Sequence, residues 1–325
     1  MTVDVQALDG DEEVAGHDAA RVVRDARDFD VAIPVEHGAR SPREIDQPHC
    51  LRIIGVVIAE IGERSFEWGS RTYVMGIVNV TPDSFSGDGL GSDADAAVAQ
   101  GLRMVQDGAD ILDVGGESTR PGHVPITVAD EIARTDEVVR RLARESGVPV
   151  SIDTYNQEVA EFGQAAGATI LNDVWGLVRS PGIAELAART GCALVVMHNQ
   201  EGTDYARDLM DEIRRFLSVA VDRAIKAGVP REKVIVDPGI GFGKNADQNW
   251  EVMRRLSELR GLGQPILIGT SRKSFIGKLL DVPVDDRLEG TISTNVAAVL
   301  RGADIVRVHD VRAVVRAIRV ADRMK

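Results

Sequence analysis

From Tyr73 onwards, short runs of apolar and β-branched residues recur at about 73–78, 110–114, 148–152, 168–171, 193–197, 233–236, 265–269 and 304–308. Each is followed by a longer stretch with helical periodicity, such as Asp204 to Ala227 or Asp247 to Leu259. The runs are apolar throughout rather than alternating, the pattern of parallel strands covered on both faces. Eight strand–helix units in about 255 residues match an α/β fold of the (β/α)8 TIM-barrel type, whose usual size is about 250 residues. A doubly wound open sheet is the alternative. It would gather its ligand at one switch point, whereas here polar residues follow nearly every run, which favours the closed barrel.

What precedes the first run differs in character. Residues 1–70 carry 7 Lys and Arg against 15 Asp and Glu, a net of −8 out of −13 for the whole chain. The first fifty mix short polar runs with Asp-Gly and Pro and few large apolar side chains, which repay little ordering entropy. Residues 1–50 therefore read as an acidic, mobile N-terminal extension. Residues 51–72 begin with an apolar run and then alternate around Gly69-Ser70, which reads as the turn of a β-hairpin. Entering the first strand at its N-terminal end, this hairpin is expected to cover the barrel bottom, leaving residues 73–325 as the catalytic barrel.

The acidic balance bounds the partners. With a pI near 5.0 and only 13 aromatic residues, the chain lacks both the basic surface and the stacking platforms that nucleic-acid binding uses. The 11-residue apolar run Leu51 to Ile61 is too short to span a bilayer, and no basic stretch followed by an apolar core marks a leader. Cys50 and Cys192 make neither a disulfide framework nor a zinc spacing. A cytoplasmic protein is expected.

In a barrel, the residues just past the strands' C-terminal ends converge on one mouth. Here they are Asn79 to Ser86, Asp113 to Gly122, Asp153, Asn172-Asp173, Met197-His198, Asp237-Pro238-Gly239, Ser271 to Ser274 and Arg307 to Asp310. Asp153, Asn172 and Asp237 offer short acceptors and one amide, suited to a flat heterocycle with several N–H groups on one edge. Arg120, Lys273, Arg307 and His309 supply cations, suited to a phosphate or diphosphate. No Ser or Cys stands in a nucleophile–base arrangement, and no His-carboxylate cluster is spaced for zinc or iron. A hard cation such as Mg²⁺, riding on phosphate oxygens, is the metal that suits such a mouth.

The runs Met75 to Ser86, Asp113 to Gly122, Ser151 to Thr154, Asn172-Asp173, Asp237 to Lys244, Ser271 to Ser274 and Arg307 to Asp310 resemble, in order, those of the dihydropteroate synthases, folate-pathway transferases of the pterin-binding barrel family. The likeness covers roughly Tyr73 to Lys325. It implies joining 6-hydroxymethyl-7,8-dihydropterin diphosphate to 4-aminobenzoate with release of pyrophosphate, Mg²⁺ as the metal, sulfonamides as inhibitors, and Lys273, Arg307 and His309 as the catalytic cations. It also implies that Asp153, Asn172, Asp237 and Lys273 hold the pterin. Arg307, His309 and Asn79 would bind the diphosphate, Asn79 also serving as a ligand of the Mg²⁺, with Thr119 near the same group. Ser274, at a helix start, would receive the aminobenzoate carboxylate, with Arg120 and Pro121 on a second loop that closes over that substrate. A homodimer is the expected assembly. One departure is the first loop, where Ser86-Gly87-Asp88-Gly89 replaces the family's frequent Ser-Asp-Gly-Gly, so Asp88 receives no role.

Physical chemistry favours a dissociative route, since an electron-rich pterin stabilises a cation at its exocyclic methylene while the cationic cluster holds the departing pyrophosphate. The aminobenzoate nitrogen is neutral near pH 7 and needs no strong base. Two other readings stay open at this stage: a methyltetrahydrofolate-handling methyltransferase of the same superfamily, which has no diphosphate to hold, and a catalytically silent pterin-binding paralogue. Lys244 ends a Gly-Phe-Gly-Lys run that lacks the phosphate-loop pattern and is set aside, and His198 reads as a histidine behind the site.

Overall fold

The structure, a computed structural model, describes residues 57–80, 90–117 and 126–325. The expectations for residues 1–50, Cys50 and the start of the apolar run therefore fall outside the described residues, as do those for the first loop beyond Val80, Asp88 included.

The chain enters the described region as an antiparallel hairpin, β1 (Val57–Ile61) and β2 (Arg64–Trp68). The hairpin turn is Gly62-Glu63, not Gly69-Ser70 as the sequence suggests. Gly62 adopts φ +59°, which a two-residue loop with glycine first provides without strain. Gly69, at φ +87°, instead reverses the chain from β2 into the barrel, with Ser70 N donating to Glu67 O at 3.2 Å.

All eight apolar runs are strands: β3 (Tyr73–Asn79), β4 (Ile111–Gly115), β5 (Val150–Asp153), β6 (Ile170–Asp173), β7 (Ala193–Met197), β8 (Val234–Asp237), β9 (Leu267–Ile268) and β10 (Ile305–Val308). They pair in the order β8-β7-β6-β5-β4-β3-β10-β9, every pair parallel. Val236 bridges to Ile266 and its N–H donates to Pro265 O at 3.0 Å, which closes the sheet into the expected barrel.

The helices are α1 (Leu90–Gln106), α2 (Val128–Glu145), α3 (Gln157–Ala165), α4 (Gly182–Thr190), α5 (Leu209–Ala227), α6 (Ala246–Arg255), α7 (Ser274–Leu280), α8 (Leu288–Leu300) and α9 (Val311–Ala321). Several of their starts are set by short polar side chains. Thr127 caps α2, Asn156 caps α3, and Asn245 with Gln248 forms a capping box on α6. A Cβ at Gly163 would lie 2.9 Å from the Ile152 side chain, so glycine is what lets α3 pack down on β5. Among the described residues no helix is long and apolar enough to cross a membrane.

Two apolar layers result. Leu112, Val114, Ile152, Leu194 and Val306 face the helices. Met75, Ile111, Ile170, Val195, Ile235 and Ile305 form an inner layer shared with Ala59, Ile61 and Phe66 of the hairpin. Residues two apart along a strand share a face. Ile111 is therefore followed inward by Asp113, Ile170 by Asn172, Ile235 by Asp237 and Ile305 by Arg307, an apolar floor beneath a polar mouth.

The hairpin covers that floor from below. Trp68 Nε1 donates to Glu232 O at 3.0 Å and Arg64 Nε to Gly147 O at 2.9 Å, while the Phe66 and Tyr73 rings pack with centroids 4.8 Å apart. Phe66 is 1% exposed. Phe66→Ala is expected to lower unfolding free energy by about 3–5 kcal/mol, read by denaturant titration. Activity per folded molecule should stay unchanged, because the ring lies at the end opposite the mouth.

Candidate active site

Arg307 stands at the centre of the polar layer. Its Nε donates to Asp113 Oδ2 at 2.5 Å and its Nη2 to Asp153 Oδ2 at 2.5 Å, so one guanidinium ties β4, β5 and β10 together. Asp113 is wholly buried and also accepts from Asn172 Nδ2 at 3.2 Å. Burial works against the Arg307 charge, but the two carboxylates outweigh it and hold the guanidinium above its ordinary range. Burial also pushes the Asp153 carboxyl up, against the pull of Arg307, and the neighbouring Asp113 and Glu131 add to the push. Asp153 Oδ1 is buried and has no hydrogen-bond partner among the described residues, an acceptor available to a donor entering from the mouth.

Asp237 closes the ring on the β8 side. Its Oδ1 accepts from Gly239 N at 2.7 Å, and burial raises the carboxyl to about 6 against that hydrogen bond and the charges of Lys273 and Arg307. Lys273, in the N-cap position of α7, carries its ammonium 4.2 Å over the Phe242 ring, a cation–π contact. Ser274 opens α7 and is exposed.

The β9–α7 loop is tied to the end of β10 twice. Ser271 Oγ lies 3.0 Å from His309 Nδ1 and accepts from His309 N at 3.2 Å. Arg272, in the left-handed region at φ +58°, donates from Nε and Nη2 to the two oxygens of Asp310 at 3.0 and 2.5 Å. The Ser271 contact fixes the orientation of the His309 ring at the rim. Asn79 ends β3 in register with Gly115 of β4.

The mouth thus combines buried acceptors with fixed cations on one barrel rim, a chemistry suited to a nitrogenous ring and an anion side by side. A family model described as "Pterin binding enzyme" matches residues 75–309. The chain belongs to the pterin binding enzyme family. A dihydropteroate synthase of Clostridium beijerinckii is 46% identical over 264 residues, 81% of this chain and 98% of that protein. Among solved structures, a dihydropteroate synthase from Clostridium difficile crystallised in the presence of pteroic acid is 49% identical, with a TM-score of 0.78 over 80% of this chain and 98% of that one. One from Xanthomonas albilineans with 4-aminobenzoic acid is 39% identical, with a TM-score of 0.78 over 83% and 98%.

Against this pterin-binding frame, Asn79, Asp153, Asn172, Asp237, Lys273, Ser274, Arg307 and His309 all lie on strand ends or loops of one rim. Thr119, Arg120 and Pro121 lie outside the described residues. Arg307, expected on the diphosphate, is engaged by Asp113 and Asp153 among the acceptors. Asp113 was quoted in the second-strand motif without a role. Its signal was its place two residues after Ile111 on an inward face. Glu131 of α2 was missed as well. It is 4% exposed, and burial raises it to about 7 against a hydrogen bond with Thr154.

Asp237→Asn separates stability from binding. The folded carboxyl, raised from 3.8 to about 6, is most stabilising below pH 3.8, and that advantage is lost as pH rises through about 6. Asparagine keeps the acceptor for Gly239 without the buried charge. The variant is expected to melt higher than wild type above pH 6, by up to about 3 kcal/mol in unfolding free energy, with the gain vanishing towards pH 4. Melting curves between pH 4 and 8 read this.

Proposed function

We propose that the chain joins 6-hydroxymethyl-7,8-dihydropterin diphosphate to 4-aminobenzoate, forming 7,8-dihydropteroate and pyrophosphate in folate biosynthesis. The observation that carries this reading is the ring of buried acceptors Asp113, Asp153, Asn172 and Asp237, with Arg307 and Lys273 among them, in a barrel of this family. Mixing the purified chain with both substrates and Mg²⁺ and assaying dihydropteroate tests it.

In this reading the pterin enters the polar layer edge first. Its N–H groups donate to Asp153 Oδ1, which has no partner among the described residues, and to Asp237. Asn172, held by Asp113, presents its amide to the same ring. The guanidinium of Arg307, already charged and desolvated, and the ammonium of Lys273 face developing negative charge as the C–O bond to the diphosphate lengthens, with no reorganisation needed at that moment. His309, oriented through Ser271, lies beside the departing group. The aminobenzoate amine then adds to the exocyclic carbon, its carboxylate lying towards Ser274 and the second-loop residues Arg120 and Pro121, with Thr119 near the diphosphate.

Mg²⁺ fits as a passenger of the diphosphate. Asn79 offers a single neutral carboxamide oxygen at the end of β3, and such a lone protein ligand suits an ion that keeps phosphate oxygens and waters as its other partners. Bound there, the ion would offset charge on the leaving group. A second copy of the chain completing a homodimer and a cytoplasmic setting belong to the same proposal, as does an acidic extension, residues 1–50, that takes no part in the chemistry.

Lys273→Ala is expected to lower kcat by about 10²–10³ with the melting temperature nearly unchanged, because the side chain lies at the mouth and not in either apolar layer. Activity and melting measured on the same preparation read both. The outer substrate pocket is expected to be completed only once anion is bound. A sulfonamide should therefore bind measurably by calorimetry with Mg²⁺-pyrophosphate present and hardly at all without it.

A further inference from the structure

Lys244, at the end of the β8–α6 loop, is buried although no ligand motif claims it. Its Nζ donates to the carbonyls of Gly239 at 3.0 Å and Phe242 at 2.9 Å and stands 2.9 Å from Nδ1 of His198, just past β7. Burial lowers the Lys244 amine to about 7, opposed by the Asp237 carboxylate, and in its ammonium form its three N–H groups are all used by these three partners. Burial, with Lys244 alongside, pushes His198 down to about 3, so its ring is neutral and its Nδ1 lone pair faces the ammonium in the tautomer protonated on Nε2. Burying an amine is costly unless its hydrogen bonds are made, and here they are.

Each carbonyl held by Lys244 belongs to a residue that supports the pterin site. Gly239 donates its N–H to Asp237 Oδ1 at 2.7 Å. At φ +71° it also packs so closely that a Cβ would run into the His198 carbonyl oxygen. Phe242 supplies the ring beneath the Lys273 ammonium, 4.2 Å away. The outer side of the same loop has fastenings of its own: Tyr205 OH donates to Gly243 O at 2.8 Å, and Gly241 N donates to Asn249 Oδ1 at 2.7 Å. Losing Lys244 would therefore loosen the inner side of the loop without releasing the whole of it.

We infer that Lys244 is a positioning residue for pterin binding: by clamping the Gly239 and Phe242 carbonyls against the end of β7, it sets the direction of Asp237 and the platform under Lys273. The inference rests on the pterin reading above. Lys244 touches no substrate and acts through its neighbours.

The test is a fluorescence titration with 6-hydroxymethylpterin, which carries no phosphate. Wild type that binds no pterin would overturn the functional reading itself, separately from the role of Lys244. Given wild-type binding, Lys244→Met is expected to weaken the pterin about 10- to 100-fold, the size usual for an outer partner of a binding group. Sulfonamide affinity measured with Mg²⁺-pyrophosphate should stay within about two-fold of wild type, since in this reading its carboxylate-like end is held at Ser274, which opens α7 and is not among the partners of the Lys244 ammonium. On an Asp237→Asn background the same substitution should cost less than about three-fold further, because one group acts through the other. A folded Lys244→Met that binds pterin like wild type, weakens both ligands alike, or adds its full loss to that of Asp237→Asn overturns the inference. Should the methionine variant lack a cooperative melting transition, Lys244→Gln, which keeps an N–H donor, is titrated in its place, and the same selective loss of pterin is expected.

Discussion

A guanidinium shared by two buried carboxylates is an expensive thing to place inside a closed sheet. Separately, Arg307, Asp113 and Asp153 would each face a large desolvation penalty; together, at hydrogen-bonding distance, they offset one another. The arrangement needs β4, β5 and β10 held at fixed separations, and only a closed barrel brings these residues, up to 194 positions apart in sequence, into one layer. One guanidinium for two carboxylates also leaves the cluster short of positive charge and of donors. Asp153 Oδ1 is the visible remainder. A ligand bearing N–H groups supplies what the protein withholds, so binding and electrostatic relief are one event.

The apolar floor makes that layer tolerable. Because side chains alternate along a strand, the residues below Asp113, Asn172, Asp237 and Arg307 are isoleucines, and the hairpin packs Phe66 and Ile61 under them. Water is shut out from beneath, and the charges meet solvent from the mouth alone. Fold stability and site chemistry are therefore carried by successive residues of the same short strands.

Much of this was legible in the sequence because the signals were local. A continuous apolar run is a strand wherever it lies, and a polar residue at its end reaches the mouth by topology; all eight strands and the placement of Asp153, Asn172, Asp237, Lys273 and Arg307 followed. The hairpin turn was misplaced because Gly62-Glu63 interrupts what reads as one apolar stretch, while Gly69-Ser70 is the more conspicuous turn pair. Asp113 had no role because its meaning depends on Arg307 at the far end of the chain. Lys244 carries no sequence signal of its role, because its Gly-Phe-Gly-Lys run is not a phosphate loop and its partners are two carbonyls and a histidine that only folding assembles.

The seventh barrel strand has a mechanical consequence. β9 has two residues, and the backbone joint beside it to β8 is one bridge, Val236 with Ile266, and the hydrogen bond from Val236 N to Pro265 O, backed by the Gln264 side chain donating to Val234 O at 3.0 Å. Its other side, against β10, is laced by Leu267 and Ile268 together with the Asp304 carboxylate, which accepts from Ile266 N. The barrel therefore has a seam, and the seam runs up to the loop that carries Ser271, Lys273 and Ser274. Shape fluctuations of a closed sheet concentrate where fewest bonds resist them. The rim should breathe most where the Lys273 ammonium and Ser274 are mounted, while the acceptors on β4 to β6, bonded along three or more residues on each side, hold still. A rigid jaw facing a compliant one lets two different molecules be gripped in turn by a single cavity.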